Sequence, residues 1–160
     1  SGETLNMYLI DTNVWLERLL DQERSEEVGT FLNTIPSNQL FITDFAFHSI
    51  ALILTRLNQP DGLRKFIQDI FTQGAVSLLH SNPSNIEPIL KIIQNFELDF
   101  DDAYQYALAE HHNLILVSFD HHFDRTTRGK KTPAQVVESL EPDDTPPEAK
   151  TEEPPSPADN

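Results

Sequence analysis

Two short apolar segments, each ending at an aspartate, constrain the fold of this chain more than any other feature of its sequence. Residues 7–10 (MYLI) run directly into Asp11, and residues 114–119 (LILVSF) run into Asp120. The second segment is almost continuously apolar, as a parallel strand covered on both faces requires. We therefore expect two buried parallel strands, each followed at its carboxyl end by an acidic side chain.

Helical patterns fill most of the sequence between these two strands. Apolar residues recur at helical spacing through residues 44–57, and similar spacing predicts helices at 12–20, from 25 to before Pro36, and at 61–71, 84–96 and 101–112. Two further strands are predicted at residues 40–42 and 76–79. Strands that alternate with helices build parallel sheets through right-handed crossovers. The predicted fold class is α/β, a three-layer sandwich with a central parallel sheet.

The helix starts are predicted from side chains that can accept hydrogen bonds from the free N–H groups of a first turn. Thr12 or Asn13 is expected to cap the first helix, and Thr43 or Asp44 the helix at 44–57. Asp101 is expected to cap the helix at 101–112.

The 160 residues suffice for one domain with a substantial core, and we divide the chain into three parts. Residues 7–140 are predicted to form the domain. Residues 1–6 carry no targeting pattern and are expected to be an expression scar or a disordered segment. Residues 141–160 contain seven acids, one lysine and six prolines, a composition that cannot bury enough surface to fold. A disordered acidic tail is expected there.

Charge and composition exclude several classes of protein. Eleven Lys and Arg against 26 Asp and Glu give a net charge of −15, which argues against a protein that coats duplex DNA. No apolar stretch approaches the roughly 20 residues that a membrane-spanning helix needs. The absence of cysteine excludes disulfides and thiol nucleophiles. We therefore expect a cytoplasmic protein that does not insert into a membrane.

Several acidic residues are predicted to meet at one edge of the sheet. Ligands of parallel α/β sheets bind beyond the carboxyl ends of the strands, where the strand order reverses. Asp11 and Asp120 follow strands, and Asp101 and Asp102 open a helix. One aspartate at a strand end is more often a turn former, but clustered carboxylates repel each other unless a divalent cation such as Mg²⁺ or Mn²⁺ joins them. Such a site can activate water against a phosphate.

The ordered motifs of the chain resemble those of the PIN-domain ribonucleases, which include the VapC-type toxins. The motifs are LIDTN at 9–13, DDA at 101–103 and LVSFD at 116–120 with FD at 123–124, and the resemblance spans about residues 7–137. It implies a compact α/β domain whose acidic pocket binds Mg²⁺ or Mn²⁺ and hydrolyses single-stranded RNA.

The resemblance also implies roles for individual residues. Asp11, Asp102 and Asp120 would be the catalytic metal ligands. Asn13 would support Asp11. Ser118 stands where the family usually has threonine, and it would orient water or phosphate.

The chain departs from the family pattern at His48. The family normally has a glutamate on the helix after the second strand, and the alignment puts His48 there. Histidine suits Mn²⁺ better than Mg²⁺, and neutral histidine removes one negative charge. Asp44 lies one turn earlier and would compensate only by reaching past that turn, and Asp124 is a further candidate beside the site. The affinity for metal is the property that this substitution is expected to change most.

The basic residues of the domain concentrate in one stretch, formed by Arg125, Arg128, Lys130 and Lys131. Because the stretch follows Asp120, we expect it to contact the RNA backbone rather than to be only a solvated loop. The histidine pairs at 111–112 and 121–122 are expected at solvated ends, because adjacent side chains diverge too much for a zinc site.

Two other functions stay open. A PIN scaffold without turnover would act as an RNA-binding or protein-binding module, and the replacement of the usual glutamate by His48 favours this alternative. The domain would otherwise be the toxin half of a toxin–antitoxin pair, whose acidic tail contacts a basic protein partner. A homodimer is also compatible with the sequence.

Overall fold

The computed structural model describes residues 5–140. The predicted tail at 141–160, and the first four residues of the predicted N-terminal segment, lie outside the described residues. The strands are β1 (Tyr8–Ile10), β2 (Leu40–Thr43), β3 (Ser77–Leu79) and β4 (Ile115–Val117). The α-helices of this part of the chain are α1 (Thr12–Leu19), α2 (Ser25–Thr34), α3 (Asp44–Arg56), α4 (Pro60–Ile67), α5 (Ile86–Phe96), α6 (Phe100–His111) and α7 (Pro133–Leu140).

The four strands form one parallel sheet in the order β3-β2-β1-β4. In β1, Leu9 pairs with Phe41 of β2 on one side and with Leu116 of β4 on the other. The chain therefore builds outward from β1 to β3 and returns to the other side of β1 for its last strand. The strand order reverses between β1 and β4, and this is where a parallel sheet opens a crevice for ligands.

Two hydrophobic cores cover the two faces of this sheet. Tyr8 and Ile10 of β1 pack with α1 to α4 and α7, whereas Leu9 points to the other face and packs with α5 and α6. All three side chains are almost fully buried, which the alternation of side chains along a strand allows only when both faces are covered. The predicted three-layer α/β fold is confirmed. No helix among residues 5–140 is long and apolar enough to cross a membrane.

The last strand is shorter than predicted, and the helix after it was not predicted. β4 ends at Val117, and Ser118 instead donates its N–H to the Lys131 carbonyl while the Lys131 N–H bonds to Leu116. The segment before α7 therefore covers the free edge of β4. α7 itself buries Val136 against the larger core.

The caps correct two of the sequence predictions. Asp11 caps α1, with its Oδ1 accepting from the Thr12 N–H at 2.7 Å, so the prediction of Thr12 or Asn13 was wrong. Thr43 caps α3 by accepting from the Ala46 N–H at 3.0 Å. Asp101 lies inside the first turn of α6, whose N-cap position belongs to Asp99, so its predicted capping role was also wrong.

Candidate metal centre

Asp11 sits at the carboxyl end of β1, at the crevice between β1 and β4. Its backbone N–H still bonds to the Val117 carbonyl at 2.9 Å, which extends the pairing of the two strands by one residue. Its side chain is 5% exposed, and burial raises the pKa of its carboxyl group. A buried charge of this kind is stable only when hydrogen bonds replace its lost water.

Four donors surround the Asp11 carboxylate. Oδ1 accepts from the Thr12 N–H at 2.7 Å and from the Gln105 side-chain amide at 2.6 Å. Oδ2 accepts from the Ser118 hydroxyl at 2.6 Å and from the Asn13 amide at 3.3 Å. The Asn13 amide also lies 3.3 Å from Ser118 Oγ, so these neighbours fix the orientation of the carboxylate together.

Asp102 and Asp120 face each other beside Asp11, and His122 joins them. One ligand atom from each of these three side chains lies within 4.8 Å of the others. Asp102 comes from the first turn of α6, and Asp120 opens the short 3₁₀ helix His121–Arg125 that follows β4. The His122 Nδ1 is 3.4 Å from Asp120 Oδ1 and 3.8 Å from Asp102 Oδ2.

The carboxyl groups of this cluster disfavour one another's ionised forms, as expected when no cation lies between them. Burial and the nearby carboxylates of Asp120, Asp101 and Asp11 together raise the pKa of Asp102 to about 7, and His122 opposes this rise. Asp102 thus tends to hold a proton up to about neutral pH, because burial and the charges of its neighbours both disfavour its ionised form. A divalent cation between these carboxylates would replace that proton.

The donor set fits such a cation. Carboxylate oxygens suit Mg²⁺ and Mn²⁺, and the imidazole of His122 is a ligand that Mn²⁺ accepts more readily than Mg²⁺. The side-chain oxygen of Gln105 is buried among these residues without any hydrogen-bond partner. Buried oxygens normally have hydrogen-bond partners, so one that lacks a partner next to carboxylates is available as a ligand for a cation.

Three of the predicted site residues lie outside this cluster. His48 is exposed on α3, with its ring against Phe47 at 6.0 Å between centroids. Asp44 accepts a hydrogen bond from the Tyr104 hydroxyl at 2.8 Å. Asp124 points to solvent and accepts from Lys130, which lowers the pKa of its carboxyl group.

The basic stretch is tied mostly to the protein itself. Arg125 donates to the Glu97 carbonyl at 3.0 Å, and the Lys130 ammonium, 8% exposed, bonds to Asp124 at 3.0 Å. Arg128 donates to the Leu114 carbonyl at 3.1 Å. That carbonyl precedes β4, whereas Asp120 follows it, so Arg128 lies at the opposite end of the strand.

The Lys131 side chain is the exposed member of the stretch that makes no side-chain hydrogen bond among the described residues. Its backbone pairs with Val117. RNA contact by these four residues stays a prediction.

Sequence reasoning missed two residues of the site. The pair at 121–122 was expected only at a solvated end, and His122 is half exposed, but the 3₁₀ turn capped by Asp120 folds it back over the carboxylates. Gln105 is 2% exposed, and a buried amide needs a polar partner, but the sequence offered one signal for it. Its spacing of three residues from Asp102 puts both on one face of α6.

Solved structures with this fold include a chain of a toxin–antitoxin complex and a toxin that cleaves the sarcin–ricin loop. A chain of a toxin–antitoxin complex from Klebsiella pneumoniae is similar with a TM-score of 0.64 and 20% identity, over 79% of this chain and 97% of that chain. FitAcB from Neisseria gonorrhoeae is similar with a TM-score of 0.63 and 19% identity, over 79% and 98% of the two chains. VapC20 from Mycobacterium tuberculosis, a toxin that cleaves the sarcin–ricin loop, has a TM-score of 0.61 and 14% identity, over 71% and 90%.

At these identities the likeness establishes the fold alone. No curated protein matches the chain in sequence. The model of the PIN domain matches residues 8–129, a segment that runs from β1 past β4 and contains the whole carboxylate cluster. This match covers most of the chain, which therefore belongs to the PIN-domain family.

Proposed function

We propose that this protein is a metal-dependent ribonuclease that hydrolyses phosphodiester bonds of single-stranded RNA, with Mg²⁺ or Mn²⁺ held by Asp11, Asp102 and Asp120. The observation that carries the proposal is the gathering of Asp102, Asp120 and His122 within 4.8 Å, next to buried Asp11 at the β1–β4 crevice. Nothing in the core of the fold requires acids at this density, and their mutual repulsion costs stability. A cost of this kind is typical of functional sites.

The residues divide the work of such a reaction between them. The three aspartates, with His122, would hold the cation, which when bound would lower the pKa of its water and offset charge that develops on the phosphate oxygens. Ser118 and Asn13 hold the Asp11 carboxylate toward the site, so that its orientation does not depend on the substrate. Asp102 gives up its proton when the cation binds, which makes binding stronger as pH rises through about 7.

Cleavage assays on single-stranded RNA with Mn²⁺ test this proposal. We expect activity in the parent protein and its loss in Asp11→Asn and in Asp120→Asn. Asp61→Asn is the matched control, because Asp61 is an exposed aspartate on α4 and pairs with Arg64 far from the crevice. Activity that survives both site substitutions would come from a contaminating nuclease and would refute the proposal.

A protein partner is a second part of the proposal. The similar structures include a toxin–antitoxin complex, and this supports a toxin role in the cytoplasm with an antitoxin as partner. Co-expression with candidate antitoxins, followed by purification on one of the two proteins, tests it. Deletion of residues 141–160 in the same experiment tests whether the acidic tail binds the partner.

One observation favours a binding module without turnover. The family normally has a glutamate on this helix, but residue 48 is a histidine and is exposed. Asp44, the other candidate on the helix, is hydrogen-bonded by Tyr104. Neither residue therefore supplies the missing carboxylate. In that case the parent protein would bind single-stranded RNA or a protein and cleave no RNA with either metal. The cleavage assay therefore separates the two functions directly.

A further inference from the structure

Gln105 combines two properties that are costly in a protein interior. It is 2% exposed, in the second turn of α6, and the face it shares with Asp102 points toward the crevice. Its amide nitrogen donates to Asp11 Oδ1 at 2.6 Å, but its amide oxygen is buried with no partner. Only half of this buried amide is therefore satisfied, whereas buried side-chain amides are normally hydrogen-bonded throughout.

The Asp11 carboxylate, unlike the Gln105 amide, has all of its hydrogen-bonding positions occupied. A carboxylate offers about four lone-pair positions on its two oxygens. Thr12 and Gln105 fill those of Oδ1, while Ser118 and Asn13 fill those of Oδ2. A cation that binds Asp11 must therefore displace one of these donors.

Gln105 is the donor whose displacement costs least. The Thr12 N–H belongs to the first turn of α1 and cannot move without the helix. The Ser118 hydroxyl also accepts from the Asp120 N–H at 2.9 Å, and the Asn13 side-chain oxygen accepts from the Phe119 N–H at 3.3 Å. Release of either donor would therefore disturb the segment that carries Asp120. The terminal torsion of glutamine is broad and nearly two-fold, so its amide can turn without any movement of the backbone.

We propose that Gln105 is an additional ligand of the cation site, and that its amide turns over when the cation binds. Without the ion, the amide nitrogen of Gln105 lies against Asp11 Oδ1, in the place that the cation would take. With the ion, the amide oxygen faces the cation and Oδ1 of Asp11 is released to bind it as well. Amide oxygens of this type are established ligands for hard divalent cations. The inference rests on the proposed function, because it concerns the same site.

Two substitutions of Gln105 separate ligation from simple support of Asp11. Gln105→Met keeps the length of the side chain and removes both amide atoms, whereas Gln105→Glu keeps an oxygen ligand and removes the donor. Gln94→Glu is the matched control, because it adds the same charge at an exposed site on α5. The readouts are the Kd for Mn²⁺ from titration calorimetry and the melting temperature with and without Mn²⁺.

We expect Gln105→Met to bind Mn²⁺ about tenfold more weakly than the parent protein. Gln105→Glu should melt at a lower temperature than the parent without metal, because it faces Asp11, and should bind Mn²⁺ at least as tightly as the parent. Gln94→Glu should match the parent in both measurements. If Gln105→Glu binds Mn²⁺ no better than Gln105→Met, the amide nitrogen alone matters and the inference is overturned.

Failure of this inference can be told apart from failure of the proposed function. A parent protein that does not bind Mn²⁺ contradicts both. A parent that binds Mn²⁺ with a Kd that neither Gln105 substitution changes contradicts the inference alone. In case Gln105→Met does not fold, NMR of the side-chain amides in the parent decides. Addition of Mg²⁺ must shift the Gln105 amide signals more than those of Gln94, and equal shifts overturn the inference.

Discussion

Replacement of Asp120 by asparagine should stabilise the metal-free protein while it destroys metal binding. The change removes one charge from the cluster but keeps the oxygen that accepts from the His122 N–H at 2.9 Å, so the 3₁₀ turn keeps its cap. The backbone bond from the Asp120 N–H to Ser118 is also unaffected. The substitution therefore changes the electrostatics of the site with little change to its structure.

The size of the effect follows from the geometry. Oxygens of Asp102 and Asp120 lie within 4.8 Å, and two unit charges at about that distance repel by roughly 3 to 4 kcal/mol at an effective dielectric constant of 20. The Asp120 side chain is 28% exposed, so solvent screens part of this repulsion. We therefore expect a gain of about 1 to 2 kcal/mol at pH 8, or about 4 °C in melting temperature.

Thermal unfolding at pH 8, with EDTA and with Mn²⁺, measures both halves of this prediction. Parent protein in Mn²⁺ at about 100 times Kd should gain about 2.7 kcal/mol, and Asp120→Asn should gain almost nothing. The order of stability should therefore reverse between the two conditions. Asp124→Asn is the control, because Asp124 pairs with Lys130 and its charge is not repelled. A metal-free Asp120→Asn that melts below the parent would refute the reasoning.

Three further predictions concern other residues. The pKa of Asp102 is raised from 3.8 to about 7, so the folded state binds more protons than the unfolded state between these pH values. The stability of the metal-free protein, measured by urea unfolding, should therefore fall by about 2 kcal/mol as pH rises from 4 to 7 and then level off. A flat profile would contradict this prediction. Thr43→Ala should cost about 1 kcal/mol through the lost cap, measured against exposed Thr55→Ala, and equal losses would show that the cap contributes nothing. Lys130→Met should raise the pKa of Asp124 in an NMR titration, and an unchanged pKa would mean that the ion pair does not form in solution.

The fold could be predicted because its elements depend on local patterns. Residues 7–10 and 114–119 are apolar without alternation, and the helix at 44–57 has an apolar stripe with Thr43 before it and Pro60 after it. Such patterns need no knowledge of distant contacts. α7 was missed because its eight residues depend on packing of Val136 into a core that the rest of the chain forms.

The acids of the site could be predicted because they adjoin the ends of strands or open a helix, as Asp102 does. Asp11 and Asp120 follow β1 and β4, and the parallel pairing of these two strands puts them at one edge. His48 was assigned by alignment to a helix position, but the rotation of α3 leaves its side chain exposed. His122 reaches the cluster from a turn, and no local pattern marks its orientation. Gln105 shares a helix face with Asp102, but only tertiary packing buries it beside Asp11.

The sequence by itself determined the layers of this protein, the order of its elements and the aspartates at the ends of β1 and β4, because short-range periodicity and strand termini set those features. The tertiary structure alone decided which side chains share the crevice. It turned Gln105 and His122 toward the carboxylates and left Asp124 and His48 exposed. The pKa of Asp102 is raised for the same reason, since its burial and its repulsion by acids from separate parts of the chain both depend on distances through space.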